Sequence, residues 1–389
     1  MNVEKLQQAI RASGLDGWLF FDHHRRDPIA YRILGISGDA EATRRWYCLV
    51  PAHGEPRKLV HRIESRVLDG LPGEKQVYSS WEEQHSKLGR MLKDCARLAM
   101  QYSSNCAIPY VSLVDAGTLE LVRGFGPEVV SSANLVQEFE ARWTEEQLQL
   151  HLEAGERVDK IRREAFDLIG ERLRSDEPVT DFEIQQFILL RFAQTGLTTS
   201  HGPIVASNEN ASDPHYEPAS ATARRLQPGD LVLIDLWAKL TDSQAVYYDV
   251  TWTCYCGESI PAQMQSVFEI VRDARRRATA FVLERVAAPR VFAGYEVDDV
   301  ARAYIVDRGF GDFFFHRTGH SIGTDVHGTG ANMDNLESHD DRVVLAGTCF
   351  SIEPGIYLPE FGIRSEINVY VGERSARVTG EEQEQLLRI

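Results

Sequence analysis

The 389-residue chain contains no run approaching the roughly 18 consecutive apolar residues of a membrane-spanning helix, so no membrane span is expected. Basic residues are in deficit. Against 58 Asp and Glu there are 42 Lys and Arg, a formal charge of −16, which argues against nucleic acid or an anionic membrane as partner. The clusters RRDPIAYR and DARRRATA are local exceptions, and they read as solvated faces. The six cysteines (Cys48, Cys95, Cys106, Cys254, Cys256 and Cys349) lack C-x-x-C spacing, which excludes a zinc knuckle and points to reduced thiols in a cytoplasm. An apolar leader is missing as well. Met1 precedes NVEKLQQAIRASG, an amphipathic helical pattern, so no secretory signal is expected.

What remains is the composition of an ordinary globular protein, too long for a single core, so two domains are expected. The first, residues 1–140, alternates helical and strand patterns. LDGWLFFD reads as a strand, RWYCLVP and PRKLVHRI as a hairpin, ARLAMQY as a strand and SLVDAGTLELVR as a helix. No dense cluster of reactive side chains lies there. The second domain, residues 141–389, opens at Thr144, where Gln147 three residues on completes a capping box; Thr180 and Glu183 form another. Two further helices are predicted, one starting at Pro261 and one through Val297 to Ile305, stopped by Gly309. Between and after them PIVAS, LVLIDLW, VYYDVTWTCY, TCFSIEPG and IRSEINVYV read as strands of a mainly antiparallel sheet, an α+β arrangement.

Acids sit in the wrong places in those strands. Asp235 lies in LVLIDLW, Asp249 in VYYDVTWT, Glu353 in FSIEPGIY and Glu366 in GIRSEINVYV. Before the last two comes FFHRTGHSIGTDVHG, residues 314–328, with His316, His320 and His327 among glycines that allow close backbone approach. A lone buried carboxylate costs several kcal/mol or more, and four carboxylates with an imidazole balance that cost by sharing cations. Taken singly, each acid has an ordinary reading as a salt-bridged or turn residue; jointly they read as a two-metal site. A hairpin is expected to bring Asp235 and Asp249 to one face, and a second to set Glu353 opposite Glu366. Oxygen donors with one imidazole suit Mn²⁺, Co²⁺, Fe²⁺ or Zn²⁺.

HRTGHSIG…VHG, SIEPGIY and GIRSE resemble the pita-bread metallopeptidases, in particular the branch of Xaa-Pro dipeptidase (prolidase) and aminopeptidase P. The resemblance covers residues 145–389 by ordered motifs and the first domain more loosely. It implies a small α/β N-terminal domain of the creatinase/prolidase type followed by a catalytic pita-bread domain. It implies the metal ligands Asp235, Asp249, His320, Glu353 and Glu366, with two divalent ions (Mn, Co or Zn). It further implies catalytic roles for Glu353 as general base and for His215, in DPHYEP, and His327, with His316 and Arg364 on the substrate side. Arg364 is expected to hold Asp249 or Glu366.

The chain departs from the family at three points. The two aspartates are fourteen positions apart where eleven is usual, Gly328 replaces an acid, and Tyr248 precedes Asp249 where serine is usual. The function expected is hydrolysis of the Xaa-Pro bond, chiefly of dipeptides, by a cytoplasmic homodimer. The alternatives are an aminopeptidase P acting on longer peptides, a creatinase-type C–N hydrolase, and a non-catalytic peptide-binding module. Trp237 and Trp252, beside the aspartates, read as strand packing or as pocket lining. His151 reads as structural or exposed, and His339-Asp340-Asp341-Arg342 as a helix-free polar loop.

Overall fold

The computed structural model describes residues 1–37 and 42–389, which divide into two compact units, Met1–Glu140 and Ala141–Ile389. The first unit has helices α1 (Val3–Ala12), α2 (Pro28–Leu34), α3 (Trp81–Leu92), α4 (Ala116–Gly124) and α5 (Ala133–Glu140). Its strands are β1 (Gly17–Asp22), β2 (Trp46–Pro51), β3 (Arg57–His61), β4 (Glu74–Tyr78), β5 (Arg97–Met100) and β6 (Glu128–Ser131). They form one mixed sheet in the order β4-β3-β2-β1-β5-β6, in which β2 and β3 make the expected antiparallel hairpin. Apolar clusters cover both sheet faces, which is why β1 and β2 are buried along their whole length.

The second unit begins with α6 (Glu145–Arg174) and α7 (Asp181–Gln194). Both carry the expected capping boxes, Thr144 with Gln147 and Thr180 with Glu183. Strands β7 (Leu197–Thr198), β8 (Ile204–Ser207), β9 (Leu231–Leu240) and β10 (Tyr248–Tyr255) follow, then α8 (Ala262–Ala287) and α9 (Gly294–Val306). The rest of the chain supplies β11 (Ser321–Ile322), β12 (Thr348–Ile352), β13 (Gly355–Tyr357), β14 (Gly362–Arg364), β15 (Ile367–Val371), β16 (Ala376–Thr379) and β17 (Leu387–Arg388). Pairing is antiparallel as expected, except that β17 joins β10 in parallel.

Side-chain alternation explains how apolar strands carry acids. Along β9, Val232, Ile234, Leu236, Ala238 and Leu240 enter the core under α6 and α7, and along β10 Tyr248, Val250, Trp252 and Cys254 do the same. The intervening positions, Asp235 and Trp237 on β9 and Asp249 and Thr251 on β10, therefore share the opposite face. In the second sheet Phe350, Ile352, Ile367, Val369 and Val371 pack with α8 and α9. This leaves Ser351, Glu366 and Asn368 on the other face. Helices cover the backs of both ladders, and the polar faces meet between them.

Two expected strands are interrupted. TCFSIEPG is paired only to Ile352, and IRSEINVYV breaks into β14 and β15 at Ser365-Glu366. The reason lies in the hydrogen bonds: Glu353 N–H donates to Thr318 O at 2.7 Å and Glu366 N–H to Thr251 O at 3.1 Å. Both backbones leave their own ladder to tie neighbouring segments together.

Candidate metal centre

The β9–β10 ladder sets Asp235 opposite Thr251 and Trp237 opposite Asp249, so the two aspartates are diagonal neighbours on one face. Glu353 and Glu366 flank the last rung of the β12–β15 ladder, Ile352 opposite Ile367. His320 enters from the loop before β11, with its Nε2 3.5 Å from Asp249 Oδ2 and 3.3 Å from Glu353 Oε1. Asp249, His320 and Glu366 each present a ligand atom within 4.8 Å of the other two. Asp235, Asp249, His320 and Glu366 are all less than a tenth exposed.

This cluster is electrostatically unfinished. Burial pushes the carboxyl of Asp249 well above the ordinary range, and Asp235 adds to it. Burial likewise raises Glu366, helped by Asp249, Glu353 and Asp235, and raises Glu353 against the opposing charges of His320 and Arg364. His320 is lowered, first by burial, which favours the neutral imidazole that a metal ligates. Asp235 Oδ1, Asp249 Oδ1 and Glu366 Oε1 are buried without a hydrogen-bond partner among the described residues. Buried carboxylate oxygens are ordinarily satisfied, so three orphans converging beside an imidazole fit divalent cations.

A frame of hydrogen bonds fixes the segments that carry the candidate ligands. Ser351 Oγ accepts the His320 backbone N–H at 2.9 Å and donates to Glu353 Oε1 at 3.0 Å. Thr251 Oγ1 donates to Glu366 Oε2 at 2.8 Å, and Asn368 bridges to the backbone of Asp249 in both directions. Asp298 on α9 accepts from the backbone and hydroxyl of Thr318 while holding Arg302, which in turn donates to the carbonyls of Phe314 and His316. Gly319 is required at its position because a Cβ there would lie 2.0 Å from the carbonyl oxygen of Ser351.

Arg364 does not hold Asp249 or Glu366 as expected. The chain turns at Ser365, and the guanidinium reaches Asp235 Oδ2 at 2.6 Å, Tyr357 Oη at 2.9 Å and Thr251 Oγ1 at 3.1 Å. His316 is half-buried; its Nδ1 lies 2.6 Å from Arg317 O and its Nε2 2.7 Å from Tyr357 Oη. Burial, with Arg364 nearby, lowers its pKa to about 3, so it is neutral and accepts the tyrosine proton at Nε2. His327 is exposed and meets the His320 ring edge-on at 4.4 Å. Its pKa is lowered first by His320, then by burial, with smaller effects of Arg317 and His215. His215 is exposed, and its backbone is held by Asp213.

The loop at 339–342 is helix-free, but its core is not a solvated surface. Asp340 and Arg342 form a buried pair at 2.7 Å, and Arg342 donates to the carbonyls of Thr329 and Gly330, clamping the segment after His327. His151 is buried between Tyr247 O and Thr379 Oγ1. Sequence reasoning passed over Ser351, Asn368 and Thr251, yet a signal existed: each lies two residues from a candidate ligand in a strand, hence on the same face. For Asp298, Asp340 and Arg342 no comparable sequence signal exists.

Comparison with known proteins agrees with this geometry. Residues 149–373 match the model of metallopeptidase family M24, a span that includes every candidate residue from His215 to Glu366. The chain belongs to metallopeptidase family M24. M24 metallopeptidases use divalent metals, and the Asp249, His320 and Glu366 cluster is a possible site for one.

The chain is similar to an Xaa-Pro dipeptidase of Lactobacillus delbrueckii subsp. lactis, 34% identical over 57% of this chain and 55% of the relative. It is also similar to an Xaa-Pro dipeptidase of Pyrococcus furiosus, 31% identical over 62% of this chain and 64% of the relative. The matched region thus spans less than two thirds of either relative. Among solved structures, a dipeptidase of Pyrococcus horikoshii OT3 covers 100% of both chains with a TM-score of 0.65 and 25% identity. The fold is accordingly that of the pita-bread metallopeptidases, an N-terminal domain followed by a catalytic one.

Proposed function

We propose that this protein hydrolyses Xaa-Pro dipeptides with two divalent ions, Mn, Co or Zn, held by Asp235, Asp249, His320, Glu353 and Glu366. The observation that carries the reading is the convergence of Asp249, Glu353 and Glu366 on His320, beside Asp235, with three carboxylate oxygens left unpartnered among the described residues. The names of the relatives, Xaa-Pro dipeptidases, supply the substrate class. A proline amide has no N–H, so a site that recognises the peptide bond through its donor is useless here and a dedicated one is needed.

Bound divalent ions supply Lewis acidity and lower the pKa of water at such a site. In this reading Glu353 takes the proton of the attacking water at its carboxylate and passes it to the proline nitrogen as the bond breaks. Its side chain keeps some exposure toward solvent, unlike Glu366. His327 and His215, both exposed near the centre, are the residues that in this reading donate to the oxygen that gains charge as the carbonyl becomes tetrahedral. Arg364 holds Asp235 in a fixed rotamer, and His316 borders the substrate on the Tyr357 side. Free thiols in all six cysteines are in keeping with a reducing, cytoplasmic setting, and a homodimer belongs to the same proposal.

The test compares Leu-Pro with Leu-Pro-Ala on metal-loaded protein. Cleavage of the dipeptide at the higher kcat/KM supports the dipeptidase. The reverse order assigns an aminopeptidase, and inertness toward both rejects Xaa-Pro hydrolysis.

A further inference from the structure

The face of β9 that carries Asp235 also carries Trp237, directly opposite Asp249 in the ladder. Its indole is half-buried, and it joins two apolar groups. One contains Val246, Tyr247, Ile322 and Val326; the other contains Ile204, Ala206, Ala211 and Tyr216. Val326 immediately precedes His327, and Tyr216 immediately follows His215. Trp237 therefore lies between the segments bearing the two exposed histidines and next to the aspartates. The indole Nε1 is buried with no partner among the described residues, so no protein acceptor explains the orientation of the ring.

The long connection after β9 reinforces this wall. Tyr247 N–H donates to Gly323 O at 2.9 Å, and Lys239 Nζ donates to Thr324 O at 2.6 Å, docking the hairpin end on the loop that leads to His327. Trp252, by contrast, faces the helix side and is stacked by Arg162 at 3.4 Å. Of these two strand tryptophans, Trp237 is the one on the site face.

Hydrolysis requires the scissile carbonyl at the candidate centre, and the carbon that bears the first residue's side chain is bonded directly to that carbonyl. The side chain on that same carbon then leaves toward the neighbouring apolar surface. We propose that Trp237 is a specificity-determining residue whose indole forms the wall against which the side chain N-terminal to proline packs. The inference rests on the dipeptidase reading above. A bulky aliphatic first residue such as Leu gains contact with the ring, and Gly gains none.

The experiment measures kcat/KM for Leu-Pro and for Gly-Pro in the metal-loaded wild type, W237A and W237F. The readout is their ratio, which cancels the active fraction of each preparation. W237A is expected to lower the ratio by about 10-fold, the scale of a small hydrophobic contact in a specificity pocket, mainly through KM for Leu-Pro. W237F keeps the wall and is expected to keep the ratio within about 3-fold. If W237A does not fold, W237L replaces it, with a loss in the same direction. An unchanged ratio in W237A or W237L, with wild type active, overturns this inference alone. A wild type inert toward every dipeptide overturns the dipeptidase reading and this inference with it.

Discussion

Replacing Gly319 by alanine tests how the fold holds the candidate metal centre together. The new Cβ would stand 2.0 Å from Ser351 O, 2.7 Å from its carbonyl carbon and 3.1 Å from its Oγ. Comfortable non-bonded separations begin at about 3.5 Å, so the loop and β12 must part by roughly 1 Å or more. Neither can give way alone. Gly319 exchanges backbone hydrogen bonds with Met333, and β12 is paired to β11 and β15. Overpacking of this kind costs about 1–3 kcal/mol, and a clash with backbone falls at the upper end.

The displacement acts on the site through Ser351, whose hydroxyl touches both the His320 backbone and the Glu353 carboxylate. Parting these strands stretches the 3.3 Å approach of His320 to Glu353, and a misplacement of about 1 Å costs on the order of 100-fold in rate. The assay pairs thermal unfolding with metal content and dipeptide turnover. Gly319→Ala is expected to lower Tm by several degrees, to reduce metal retention and to cut kcat/KM by about two orders of magnitude. Wild-type stability together with wild-type turnover would refute the argument that this contact sets the site.

Glu353→Gln should reduce kcat by at least about 100-fold while elemental analysis still finds metal, since the amide keeps an oxygen donor and loses the base. A variant that turns over normally rejects the role given to Glu353. His151 supplies a pH prediction with a definite sign. Burial holds its pKa near 4 in the folded state against 6.5 when unfolded, so its contribution is complete above pH 6.5 and is lost as pH falls toward 4. Between pH 7 and pH 5 that loss amounts to about 2 kcal/mol. Urea titrations of wild type and His151→Gln at both pH values should show the smaller pH dependence in the variant, and equal dependence would remove His151 as the cause.

Much of the centre could be read in one dimension because the chemistry forces unusual residues into apolar strands. Asp235, Asp249, Glu353 and Glu366 stand out against their neighbours, and Thr144 and Thr180 announce their helices by local hydrogen bonding alone. The pairing of β9 with β10 followed from patterning, and with it the common face of the two aspartates. What failed were statements about where a long side chain reaches across the fold. Arg364 was expected on Asp249 or Glu366 from the family resemblance, whereas its guanidinium reaches Asp235. The loop at 339–342 is helix-free and polar as expected, but nothing in its sequence revealed that the Asp340–Arg342 pair satisfies itself and two carbonyls in the interior.

The sequence by itself determined the acids and imidazole of the candidate centre, the alternation that puts residues on one face of each strand, and the glycines where backbone must approach backbone. These are local properties, set by periodicity and by sterics around a single residue. Only the tertiary structure decided which carboxylate Arg364 holds, that Ser351, Thr251 and Asn368 tie the strands together, and that Trp237 stands between the His215 and His327 segments. Those outcomes depend on the meeting of polar faces from two separate sheets. No periodicity within either sheet encodes which of its side chains will find a partner in the other.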